Sequence, residues 1–113
     1  MTSVIDATTF ENLKQMVGAD FIVELINTFL DDASQLLQQL DTALKTNDAE
    51  TFKRAAHSLK SNAASFGANE LSAWARTLEM LGRENKLNEV GDGLKALEEA
   101  YQAAEQELKR MSA

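Results

Sequence analysis

No proline occurs anywhere in the 113 residues, and nothing else narrows the possible folds so sharply. Proline ends or kinks a helix because it lacks a backbone donor and its ring clashes with the preceding turn. With proline absent and β-branched runs scarce, the abundance of Ala, Leu, Glu, Gln and Lys favours helix along nearly the whole chain. Breaks must then come from glycine and small polar residues.

Reading those breaks predicts five helices. A short first helix follows Asp6 or Thr8 and ends at Gly18, with Phe10, Leu13 and Val17 on its apolar side. A long second helix runs from Asp20, as N-cap, to Lys45. Its stripe is Ile22, Ile26, Phe29, Leu30, Ala33, Leu37, Leu40 and Leu44, and Asp31, Asp32, Gln35 and Gln38 face water. Asn47 and Asp48 read as a stop and a new N-cap, opening a third helix of about 18 residues that Gly67 ends with a left-handed turn. Asn69 caps a fourth, which turns Leu71, Trp74, Ala75, Leu78 and Leu81 inward and fades near Asn85. The last follows Asn88, with Val90, Leu94, Leu97, Tyr101, Ala104, Leu108 and Met111 spaced by fours and threes.

Short connections between long amphipathic helices make sequential neighbours antiparallel. The expected architecture is therefore all-α: an up-down-up-down four-helix bundle with a short additional N-terminal helix across one end. The length suits one domain spanning residues 1–113, and the initial Met with that compact length suggests a free-standing protein. A monomer is expected, because each helix has one apolar stripe and the bundle uses it.

Cysteine is absent, so no disulfide or thiolate metal site is possible and nothing calls for an oxidising compartment. The opening MTSVIDATTF has neither a basic flank nor a long apolar run, and no stretch of about 18 apolar residues could span a bilayer. The expected location is the cytoplasm. A formal charge of -7 argues against nucleic-acid or anionic-membrane partners. The charge is uneven, however. Between Thr51 and Asn69 lie Lys53, Arg54 and Lys60 and no acidic residue, and the rest of the chain sets 8 basic against 18 acidic residues.

That positive island holds His57, the single histidine. On a helical wheel, Phe52, Ala55, Ala56, Leu59, Ala63 and Phe66 occupy an arc of about 100° opposite His57, whereas Lys53, Arg54, Lys60, Ser61 and Ala64 fall within about 60° of it. The imidazole should therefore stand in the middle of the solvent face. Surface histidines on helices commonly have no special task, and three cations on one face can serve solubility alone. Phe66 and Trp74 at core spacing read as packing residues.

Enzyme readings fit the residues poorly. One histidine cannot build the paired Glu-x-x-His set of a di-iron bundle or an ordinary zinc site, and no phosphate loop or dinucleotide-binding glycine motif is present. Ser58, Ser61 and Ser65 lack a nearby acid in sequence, although Glu79 from another helix could reach His57. An exposed lone imidazole can still act as a nucleophile, since an unperturbed ring titrates near 6.5 and is commonly neutral at pH 7. A phosphoryl group received there would need cations, and Lys60 lies one turn away on the same face.

At these positions the sequence resembles the histidine phosphotransfer (HPt) domains of multistep two-component phosphorelays. Their signature is approximately H-x-L-K-G-[SA]-x-x-x-[LF]-G, which His57, Leu59, Lys60, Phe66 and Gly67 match in place. The Phe29 helix, Leu71, the Leu78-Glu79 pair and the Tyr101 helix also fall at family-like spacings. The resemblance implies a four-helix bundle and a phosphoryl group carried on His57. It also implies exchange with aspartates in the receiver domains of response regulators and of a hybrid sensor kinase, with those receivers supplying magnesium and this chain binding no cofactor. By the same resemblance Lys60 stabilises the phosphoryl group. Glu79 either orients the imidazole or forms a surface salt bridge, Arg83 borders the same surface, and Lys53, Arg54, Ser61 and Ala64 face the partner. Ser61 departs from the usual glycine, keeping the position small while adding a hydroxyl that could meet the phosphoryl group. Two other readings stay open: a helical adaptor that docks receivers without chemistry, and a metal-dependent bundle enzyme.

Overall fold

Helix follows helix along the chain: α1 spans Ala7–Val17, α2 Ala19–Lys45, α3 Ala49–Ser65, α4 Asn69–Arg83 and α5 Gly93–Ser112. This computed structural model describes residues 4–112, so the expected span of 1–113 includes a few terminal residues outside the described range. Helices α2 to α5 close a ring in which each packs on two neighbours, and α1 lies against α2 and α3. Contacts between α3 and α4 run antiparallel: Lys53 abuts Gly82, His57 meets Glu79, and Lys60 meets Ser72. The α3–α4 contact is the most extensive of the bundle. Ala56, Ala63 and Ala75, all fully buried there, allow the two backbones to come close.

Three corners share one device. At Asn47, Gly67 and Asn85 the backbone turns left-handed, with φ of 55°, 79° and 57°. The next residue then donates back to the last helical turn: Asp48 N–H to the Ala43 carbonyl at 2.8 Å, Ala68 to Ala63 at 3.0 Å and Lys86 to Leu81 at 2.8 Å. These bonds satisfy carbonyls that the ending helix would otherwise leave unpaired. Gly67 is required on a second ground, because a Cβ there would come within 2.9 Å of the Asp6 carbonyl. Asp6 N–H in turn donates to Gly67 O at 2.8 Å, and that bond seats the start of α1 on the α3–α4 corner.

Two of the expected caps hold. Asp6 accepts from Thr9 N–H and Asp48 from Thr51 N–H, each at 3.1 Å. The other two do not. Gly18, at φ 97°, ends α1 and starts α2 with no intervening loop, which puts Asp20 inside the first turn. Likewise Ala68 precedes α4, so Asn69 is its first helical residue and makes no side-chain cap. The last helix also starts later than expected. A 3-10 turn over Leu87–Glu89 buries Leu87, Val90 enters the core from outside the helix, and α5 begins at Gly93.

The interior is one continuous apolar cluster, built on the fully buried Phe52, Ile22, Ile26, Leu40, Leu59, Leu71, Leu78, Leu97 and Leu108. Burying each such side chain is worth about 1.5–3 kcal/mol. Leu37, Leu44, Trp74, Leu81, Tyr101 and Met111, expected inside, pack against the cluster half-buried, and Ala43 takes the deep position beside Leu44. Phe66 stacks on Phe29 with ring centres 4.6 Å apart, joining α2 to the end of α3. Tyr101 donates its hydroxyl to the Leu30 carbonyl at 3.1 Å and so ties α5 to α2. Among the described residues no helix is long and apolar enough to cross a membrane.

Candidate functional site

The far side of α3 is anchored by Phe52, Ala56, Leu59 and Ala63, none more than 1% exposed, so the opposite side must face out. His57 sits there with its side chain 59% accessible, as the wheel predicts. One turn of α4 passes directly beneath it. Leu78 is wholly buried and Glu79 follows it into the contact between the helices, with only 4% of its side chain accessible.

Glu79 is the hub of the site. Its Oε2 lies 2.7 Å from His57 Nδ1 and accepts from Arg83 Nη2 at 3.2 Å, while its Oε1 accepts from Lys60 Nζ at 2.7 Å. Burial pushes the carboxyl upward, but the hydrogen bonds from Lys60 and His57 and their charges outweigh it and hold the group below its ordinary range. It is therefore ionised near neutral pH and can only accept hydrogen bonds. The proton between Glu79 and the ring must then reside on Nδ1, which leaves the lone pair of a neutral imidazole on Nε2. Glu79 does form ion pairs, with Lys60 and Arg83, but its carboxylate is buried between the helices and not held in water.

The depressed carboxyl has a consequence for stability. Because Glu79 binds its proton more weakly folded than unfolded, its contribution is complete above the unfolded value, near 4.5, and is lost as pH falls through the lower folded value. The stability gap between the wild-type protein and Glu79→Gln should accordingly narrow over the acid range below about pH 4.5. Denaturant titrations of both proteins across that window check it; a constant gap would contradict it.

The other expected residues divide into two groups. Lys53, Arg54 and Arg83 join Ser58, His57 and Glu79 around an open hollow of about 370 Å³ beside the imidazole. Lys53 also holds Glu50 at 3.1 Å. Lys60 is not in that hollow. It approaches Glu79 from the other side, and with one bond committed to the carboxylate it keeps two of its three N–H donors. Ser61 and Ala64 are exposed further along α3, where the Ser61 carbonyl accepts from Ser65 Oγ. Beyond them a second, mainly apolar hollow opens between α1, α2 and α3, lined in part by Leu13, Leu25, Phe29 and Phe66.

Ser58, Ser72 and Gly82 belong to this site and carried no functional expectation. Ser58 lines the charged hollow, and Ser72 Oγ donates to the Lys60 carbonyl at 3.0 Å. Gly82 packs on the backbone of Lys53. Ser58 lies within the positive island and beside His57 in sequence, a signal that could have found it, but the placement of Ser72 and Gly82 depends on the register of α4 against α3, which no local pattern states.

A family model described as the Hpt domain matches residues 24–107. The phosphorelay protein LuxU of Vibrio harveyi is 30% identical over 90 residues, covering 80% of this chain and 79% of LuxU. The sensor protein TorS of Escherichia coli K12 is 35% identical over 75 residues, which make up 66% of this chain and 8% of TorS. Among solved structures, histidine-containing phosphotransfer protein B of Pseudomonas aeruginosa PAO1 superposes with a TM-score of 0.91. That match covers 99% of this chain and 96% of the other at 23% identity, and it bears on the fold.

Proposed function

The chain belongs to the Hpt-domain family of histidine phosphotransfer proteins of phosphorelays, and on that premise we propose that His57 is its phosphoryl carrier. One observation carries the assignment: the imidazole is exposed on the solvent face and held at Nδ1 by a buried carboxylate, which aims the free Nε2 outward. In the forward step the Nε2 lone pair attacks the phosphorus of a receiver's aspartyl phosphate. The N–P bond forms, the P–O bond to the aspartate breaks, and the carboxylate leaves. Nδ1 keeps its proton throughout, so the chain needs no general base, and the positive charge that develops on the ring is met by Glu79. Donation to a second receiver reverses these steps. The receiver's magnesium ion would neutralise charge on the phosphoryl oxygens, and this chain contributes no cofactor.

Around that nitrogen, Lys60 supplies N–H donors to the phosphoryl group from one side, while Lys53, Arg54 and Arg83 present positive charge to an acidic receiver pocket from the other. Ser61, Ala64 and the apolar hollow beyond them extend the docking face along α3. We read the chain as a single cytoplasmic domain, monomeric, acting as a carrier without kinase activity of its own; the one continuous core supports its being a single domain.

Mixing the protein with a phosphorylated receiver tests the function. Label should move to this chain as an acid-labile, base-stable species and then discharge onto a second receiver. Binding of the receiver with no transfer would instead favour a docking adaptor. Lys60→Ala should slow transfer by about fivefold to tenfold, the value of one charge-assisted hydrogen bond in a partly exposed site, with helix content unchanged. Equal single-turnover rates for the two proteins would remove Lys60 from the mechanism.

A further inference from the structure

We propose that Gly82 and Ser72 set the separation of α3 and α4 at which Glu79 reaches His57, which makes Gly82 a positioning residue for phosphotransfer. This rests on the reading above that Glu79 orients the imidazole.

Gly82 lies inside α4, where its left-handed freedom is not used and glycine disfavours helix relative to alanine. Local structure therefore gives no reason for it. The neighbouring helix does. A Cβ at position 82 would stand 3.1 Å from both Cα and N of Lys53 and 3.2 Å from its Cβ. These are atoms at the root of α3, not the end of a side chain that could swing away, so a methyl group there would drive the helices apart by a few tenths of an ångström.

This tight contact is one turn from the chemistry on both helices. Glu79 is three residues before Gly82, and His57 is four after Lys53. On the opposite flank the Ser72 hydroxyl bonds the Lys60 carbonyl at 3.0 Å and draws α4 onto α3 there. Glu79 lies between these two points of contact, with both its 2.7 Å bonds directed at α3. A buried, fully engaged carboxylate has little freedom to follow a receding helix, so widening the gap lengthens its bond to Nδ1 first.

The test compares the wild-type protein with Gly82→Ala, Gly82→Val, Ser72→Ala and Glu79→Gln. The readouts are the 15N spectrum of the His57 ring at about pH 8.5, where an ordinary imidazole is neutral, and the single-turnover rate of phosphotransfer. Gly82→Ala should retain helix content, lower the share of ring carrying its proton on Nδ1, and slow transfer by about tenfold. Gly82→Val should do more of both, and Ser72→Ala should shift the ring spectrum the same way by less. If valine prevents folding, alanine and Ser72→Ala carry the test. A Gly82→Ala protein with a higher melting temperature, the wild-type ring spectrum and the wild-type rate would overturn the spacing role, since alanine would then have improved the helix at no cost to the site. Glu79→Gln separates the two levels. If it shifts spectrum and rate while Gly82→Ala shifts neither, spacing alone fails; if it shifts neither, the role of Glu79 fails and the spacing role with it.

Discussion

Glu79→Gln should transfer phosphoryl groups about 10–100-fold more slowly than the wild-type protein while keeping its helix content. The amide has nearly the shape of the carboxylate, so the packing around this buried side chain need not change. What changes is charge. The carboxylate accepts from His57, Lys60 and Arg83 together, at 2.7, 2.7 and 3.2 Å, and its two oxygens have no donor to offer in return. A glutamine keeps one acceptor oxygen and turns an NH2 group toward one of these donors. If the oxygen faces Lys60, the NH2 faces Nδ1 and favours the ring with its proton on Nε2, which blocks the attacking position. If the oxygen faces Nδ1, the tautomer survives but the ring loses the negative charge that balances it as the N–P bond forms. Either arrangement slows the reaction. Single-turnover transfer from a phosphorylated receiver measures it, and a rate within twofold of the wild-type value would show that Glu79 does not support the imidazole.

Much of this molecule is legible in its sequence because helical periodicity is a local property. The stripe Phe52, Ala55, Ala56, Leu59 and Ala63 places His57 outside, and in the structure those residues are buried and His57 is exposed. Asp48 with Thr51 and Asp6 with Thr9 are capping pairs that need only neighbouring residues. Where the expectation fails, a corner decides against local preference. Asp20 and Asn69 have side chains suited to capping, yet Gly18 and Ala68 occupy the cap positions because the backbone has already turned at Gly18 and Gly67. Val90 reads as part of the last helical stripe, but Gly91 at φ 52° separates it from α5.

The site shows the same division. His57 and the cations on its own helix are visible from spacing, and the family motif adds the phosphoryl chemistry. Arg83 can be placed near Glu79 by the four-residue interval. The burial of Glu79, and with it the nitrogen proposed to attack, depends on how α4 is set against α3, a register that no local pattern in the sequence states. Ser61 is exposed in the structure with its backbone carbonyl accepting from Ser65, and nothing in the structure explains serine over glycine there.

Replacing His57 has the largest expected effect of all, because the remaining residues offer no second imidazole to which the group could move. His57→Gln should accept no acid-labile, base-stable label from a phosphorylated receiver. The ring is 59% accessible and its one hydrogen bond to Glu79 comes from Nδ1, so removing it leaves the core untouched and the loss would be chemical, not structural. Phosphorus NMR on the phosphorylated protein, with its histidine labelled with 15N, goes further than loss of label. The expected spectrum has one phosphoramidate signal, coupled to Nε2 of His57 and missing from His57→Gln. A signal that persists in the variant, or coupling to Nδ1 in place of Nε2, would contradict the assignment of this nitrogen as the carrier.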